Sequence, residues 1–302
     1  MSQPADFFAS FLRDFLPSAP APYVCLGCMR TELEPGVKLR QCAKCGRPRY
    51  CSKECQTKDW PEHKLDCSRA DSGPKISQRL IQNLTSSPLF KIIIQACLTL
   101  EFNLLNDENT IGVDTPISAI VDLAVEPAEI GDLERIWHNH NVGRMRKIHG
   151  MLQITRFAPA QGMTAPALAL WKKERLRADL TGYDGDPLVV LHVIYTASNQ
   201  MATTTMVVPQ PTREMVKSCI DSGNISIVPE VVFSTLKPTI DGFIECMNLD
   251  IRDDTENKLR LRTRVRSQDI QVISDTASRV ETNAAVAFSC KLAREAIYQR
   301  PS

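Results

Sequence analysis

Apolar residues recur along this chain in blocks whose periods change several times. Near the N-terminus Phe7, Phe8, Phe11, Leu12, Phe15 and Leu16 recur at helical spacing, predicting a short amphipathic helix over 5–16 that Pro17 ends. Beyond residue 80 the same logic predicts helices near 88–105, 129–139, 166–178, 212–220, 254–266 and 283–298. Stretches rich in β-branched residues and bounded by Pro or Gly predict strands at 117–125, 151–157, 187–196 and 202–208, with 226–233 a weaker candidate. Long helices mixed with about four strands point to an α+β or α/β domain over 85–302. Between Tyr23 and Cys67 neither period is sustained; on either side a Pro/Ala/Ser stretch, 17–22, and a polar one, 69–84, read as linkers.

That aperiodic segment is where the cysteines lie. Of eleven in the chain, seven fall between Cys25 and Cys67, and Cys97, Cys219, Cys246 and Cys290 are scattered among apolar or small residues, as core thiols would be. Residues 1–22 lack the cationic start of a secretory signal and carry Asp6, Arg13 and Asp14 within their apolar stretch. The expected setting is therefore intracellular and reducing, which argues against a disulfide framework for an odd cluster of seven. The longest apolar runs fall far short of a membrane span. A formal charge of +1 gives no whole-chain case for a nucleic-acid or membrane partner.

Metal binding accounts for the cluster. The ligand candidates read Cys25-x2-Cys28, Cys42-x2-Cys45, Cys51-x3-Cys55 and His63-x3-Cys67. Structural zinc takes four soft or borderline ligands in a closed tetrahedron, so eight ligands in four pairs make two sites. The two-residue spacers are tight turns, with Gly27 in one and Gly46 just after the other to relieve backbone strain. The i, i+4 spacers put both side chains on one face of a helix. Ser52 is placed to cap such a helix with Glu54 in its first turn, and Pro61 to open the one carrying His63 and Cys67. The segment holds few apolar residues and is too small to fold on burial alone, so zinc must supply the difference. Spacing leaves open which pairs share a metal.

The tract CLGCMRTELEPGVKLRQCAKCGRPRYCSKECQTKDWPEHKLDC resembles the MYND zinc-finger family, down to Tyr50 before Cys51, Gln56 after Cys55 and the KDW..HK..C ending. The resemblance covers about 45 of the 302 residues. It implies two interleaved zinc ions, one on Cys25, Cys28, Cys51 and Cys55 and the other on Cys42, Cys45, His63 and Cys67. It also implies that the finger binds proline-containing peptide segments of partner proteins, with Gln56 and Trp60 in the groove. An extended Pro-rich strand suits an aromatic surface because it loses little entropy on binding. The domain division this gives is 1–22, helix and linker; 23–68, finger; 69–84, linker; and 85–302, a larger α+β domain.

Two rival functions carry less weight. Nine Lys/Arg against six Asp/Glu lie between Cys25 and Cys67, and seven thiolates with two zinc ions bring that excess back close to neutral. The phosphate attraction behind nucleic-acid binding needs uncompensated cations. A SET-type methyltransferase would need part of its domain ahead of the finger, where only 24 residues without a glycine precede Cys25. His138, His140 and His149 lack an acidic partner close by and read as a polar loop. The reading is a zinc-binding adaptor or scaffold; the alternative is an enzyme housed in 85–302 whose substrate the finger recruits.

Overall fold

The computed structural model describes residues 25, 27–28, 30, 32, 34–43, 49–66, 75–106, 110–138, 147–228, 231–233 and 236–298. The expected helix at 5–16 and its linker lie outside them. The chain divides into two compact units, 1–76 and 77–302.

In the first unit two short strands, β1 (Arg40–Gln41) and β2 (Arg49–Tyr50), pair antiparallel and are followed by α1 (Lys53–Asp66). The core consists of Cys25, Cys42 and Tyr50, with Leu39, Cys51 and Cys55 packed against it. Most of those side chains are thiols, and among the described residues the apolar burial beside them comes from Tyr50, Leu39 and Val37. Pro61 lies inside α1, which runs through it unbroken, so it does not open a second helix as the sequence suggested. Lacking an N–H, it leaves the Thr57 carbonyl without its helical donor.

The second unit is a mixed α/β domain. Residues 75–84, taken for linker, form most of α2 (Lys75–Ser86), whose Leu80, Ile81 and Leu84 are buried. Ser87 caps the next helix, α3 (Pro88–Glu101), by accepting from the Phe90 amide. The central sheet has the order β6-β5-β3-β4-β9. It comprises β3 (Ile117–Pro127), β4 (His149–Pro159), β5 (Leu188–Tyr195), β6 (Gln200–Val207) and β9 (Arg262–Arg264), and only the β3–β5 pairing is parallel. Almost every residue of β3 is buried, because helices cover both faces of the middle strand.

Three helices share one core beside β3. These are α4 (Ile130–His138), α8 (Ser267–Ala277) and α9 (Asn283–Arg294), whose Leu133, Ile136, Val272, Ile273 and Phe288 pack with Ala124 and Ile148. α5 (Ala165–Leu180) covers the start of β5, where Trp171 packs on Leu188 and Val190 and donates from Nε1 to the Leu188 carbonyl at 2.8 Å. α3 packs against both α6 (Gln210–Ser222) and α7 (Ile240–Asp253). The weaker candidate at 226–233 is a two-stranded hairpin, β7 (Ile225–Val228) with β8 (Val231–Phe233).

The helix expected at 254–266 does not form. The Asp254 carboxylate accepts from the amides of Lys258 and Leu259, both at 2.7 Å, and Asn257 Oδ1 accepts from the Arg262 amide at 2.9 Å. These side chains offer the backbone an alternative to helical bonds. Asn257 and Arg260 take positive φ angles of 55° and 57°, and β9 follows.

A buried ionic network joins β3 to the C-terminal helices. Lys291, fully buried, donates to Glu126 Oε2 at 2.9 Å and Glu295 Oε2 at 2.6 Å. Arg252 pairs with the other oxygen of Glu126, and the Tyr298 hydroxyl lies 2.8 Å from both. Asn248 on α7 bridges the Ile154 backbone to Glu295. Burial opposes charge on Glu126, but Lys291 and Arg252 outweigh it and hold the carboxyl below its usual range.

Candidate metal centre

The finger brings four sulfurs together because three separate segments converge. Cys25 and Cys28 flank the first tight turn, which closes with the Cys25 amide donating to the Arg30 carbonyl at 2.8 Å. Cys51 follows β2, and Cys55 lies in the first turn of α1. That helix starts where it does because Ser52 Oγ accepts from the Cys55 amide at 3.3 Å. Gly27 is required for close approach: a Cβ there would meet the Cβ and the carbonyl oxygen of Cys55 at 2.6 Å. Backbone strain, the role the sequence suggested, is not what selects it. Gly46 lies outside the described residues.

The ligand atoms of Cys25, Cys28, Cys51 and Cys55 all lie within 4.8 Å of one another. Cys28 and Cys51 sulfurs are 3.5 Å apart, and those of Cys51 and Cys55 are 3.6 Å apart. Zinc–sulfur bonds of about 2.3 Å at tetrahedral angles give an edge of about 3.8 Å, so this cluster can hold one zinc ion. Its electrostatics agree. Burial works against a Cys25 thiolate, but hydrogen bonds from the Cys51 amide, the Cys28 thiol and the amides of Gly27 and Cys28 outweigh it and bring the thiol down to about 6. Its neighbour goes the other way: hydrogen bonding with Cys28, then with Cys55 and Cys25, pushes the Cys51 thiol up to about 12. Four sulfurs at this spacing cannot all ionise without a cation among them.

Of the second expected set, Cys42 and His63 are described, and Cys45 and Cys67 lie outside the described residues. Cys42 is buried after β1, and His63 Nε2 lies 3.4 Å from its sulfur. A tetrahedral zinc bound by one sulfur and one imidazole gives an edge of about 3.5 Å. Among the described residues, the four-cysteine cluster is the one group of three or more potential ligands with this proximity.

Gln56 and Trp60 occupy successive turns of α1. Gln56 is half-buried; Trp60 is 38% exposed and sets its ring edge-on to His63, with centroids 5.7 Å apart. An open hollow of about 450 Å³ on the same helix is lined by Lys53, Glu54, Thr57 and Lys58 and does not include either residue. Of the remaining candidates, His138 and His149 are exposed, and His140 lies outside the described residues. Cys97, Cys219 and Cys246 are buried thiols, but Cys290 faces outward from α9, contrary to the expectation from its neighbours.

Comparison with known proteins divides the chain in a similar way. A MYND-finger profile matches residues 23–67, and the profile of a domain of unknown function (DUF8205) matches residues 72–298. Among curated proteins, a SET and MYND domain-containing protein of Dictyostelium discoideum is 33% identical over 80 residues, 26% of this chain and 15% of the relative. The SET domain and MYND-type zinc finger protein 6 of Schizosaccharomyces pombe is 46% identical over 52 residues, 17% of this chain and 10% of the relative. The human N-lysine methyltransferase SMYD2 is 53% identical over 30 residues, 10% of this chain and 7% of the relative. The chain thus spans less than a sixth of the length of each, and none of these alignments is long enough to cover residues 72–298. No solved structure matches the chain.

Proposed function

We propose that this chain, which belongs to the DUF8205 family and carries a MYND zinc finger ahead of that domain, is an adaptor whose finger binds a proline-containing segment of a partner protein. The finger would hold two structural zinc ions, one on Cys25, Cys28, Cys51 and Cys55, the other on Cys42, Cys45, His63 and Cys67. The tetrahedral edges among the first four sulfurs and the 3.4 Å edge between His63 and Cys42 support this pairing. Bound zinc would supply charge for the thiolates and the cross-links that replace an apolar core.

The observation that carries the binding role is Trp60, a large aromatic left 38% exposed on the helix that bears the ligands. Half-buried Gln56, one turn back, would donate or accept one hydrogen bond to the peptide backbone. Two of the matched relatives are named for a SET domain together with the finger, and the human one is named as an N-lysine methyltransferase. Here the finger precedes a domain of another family, so we carry over the finger's role and leave the methylation with those proteins. The test is capture of partners, or of a Pro-rich peptide, by wild type and Trp60→Ala at equal zinc content. Truncating an aromatic anchor costs about 2 kcal/mol, so affinity should fall about 30-fold. Undiminished binding with zinc retained would refute the groove.

A further inference from the structure

We infer that Tyr50, Asp59 and Trp60 form a clamp that sets the imidazole of His63 for the second zinc, as positioning residues and not as ligands. This rests on the two-zinc reading above. A histidine on a helix has two rotatable side-chain bonds, and a ligand must lose both freedoms before it can hold a metal at fixed geometry. Metal-binding histidines commonly owe their orientation to outer groups, whose loss weakens metal binding by about 10–100-fold.

Here the orienting groups are aromatic. From its own helix, Trp60 meets the His63 ring edge-on at 5.7 Å and 69° between planes; from β2, Tyr50 meets it at 6.3 Å and 61°. Both are favourable edge-to-face geometries. Tyr50 cannot drift, because it is 3% exposed and its hydroxyl donates to Asp59 Oδ2 at 2.5 Å. Asp59 directly precedes Trp60, so the strand, the helix and the imidazole close into one circuit. Within it His63 Nε2 is turned towards the Cys42 sulfur. Tyr50 also precedes Cys51, a member of the other cluster, and is buried in one group with Cys25 and Cys42. In a core rich in sulfur, its hydroxyl is explained by the bond to Asp59.

The experiment uses the full chain loaded with zinc and follows metal transfer to excess chromophoric chelator. Two zinc ions should leave in two phases. In Tyr50→Phe, which keeps the ring and loses the hydroxyl, and in Asp59→Ala, one phase should quicken about tenfold while the other keeps its wild-type rate. Asp59→Asn retains an oxygen acceptor and should restore the slow phase. With cobalt(II) in place of zinc, only the bands of the three-thiolate, one-imidazole site should change in Asp59→Ala. Wild-type rates in both variants, equal acceleration of both phases, or altered four-thiolate bands would overturn the clamp. A wild-type chain that holds only one zinc would refute the two-zinc reading itself, and this is read before any variant.

Discussion

At the scale of single residues, the finger depends on positions that have no room to change. Gly27→Ala would drive a Cβ into the backbone and side chain of Cys55, so the turn carrying Cys25 and Cys28 would have to move off the helix. The expected outcome is loss of about one zinc per chain, measured by elemental analysis, with the fold of residues 77–302 kept. Asp250 gives a residue-scale test in the larger domain. Burial, then repulsion from Asp253, raises its carboxyl to about 6. An acid whose folded value is raised is penalised once the unfolded chain can ionise it. This contribution is therefore absent well below about pH 4, where the group is protonated in both states, grows between about 4 and 6, and is complete above about 6. Asp250→Asn should stabilise the domain by about 1–2 kcal/mol at pH 7.5, a part-buried share of the full shift, and by almost nothing at about pH 2.5. Thermal denaturation at the two pH values measures the difference.

At the scale of elements, the buried network is the joint between the sheet and its C-terminal helices. Lys291 on α9 answers Glu126 on β3 and Glu295 at once, and Arg252 on α7 reaches the same glutamate. Replacing Lys291 by Met leaves two buried carboxylates with reduced compensation, a change expected to cost about 3–5 kcal/mol. Adding Glu126→Gln should recover part of that loss, since the two residues share one interaction. The pH dependence has a definite sign. Glu126 is held below its usual range, so its contribution is complete above the unfolded value near 4.3 and is lost as pH falls through the folded one. The gap between wild type and Lys291→Met in chemical denaturation should accordingly narrow in acid.

At the scale of the whole molecule, two units of different construction share one chain. The first has a core of thiols and one tyrosine; the second buries a five-stranded sheet under helices. Stability in the first is expected to depend on metal, and in the second on apolar area and the ionic network. Chelation should therefore abolish structure in the finger while most of the far-UV circular dichroism, which comes from 77–302, persists. A single cooperative loss of the whole signal on chelation would show that the units do not fold independently.

The four-cysteine cluster was legible because ligand identity and spacing are local properties. Cys25-x2-Cys28 and Cys51-x3-Cys55 mark potential metal ligands before any fold is known, and β3, β4, β5 and β6 were equally visible through their β-branched runs. The failures are local too, but of another kind. The helix read at 254–266 overlooked that Leu259, Leu261 and Val265 alternate with basic residues at the period of a strand, and the carboxylate of Asp254 and the amide of Asn257 capture the backbone before them. α2 was hidden because its buried Leu80, Ile81 and Leu84 sit in a polar sequence that resembles a linker, and Cys290 was misplaced because a helix has two faces and its neighbours do not say which is covered. Spacing could not say which cysteine pairs meet, since a metal is indifferent to chain order. Only the β1–β2 pairing and the start of α1 bring Cys51 and Cys55 to Cys25 and Cys28. The network around Glu126 had no local trace, because its members lie up to 172 residues apart and meet only when the sheet and the last helices have packed.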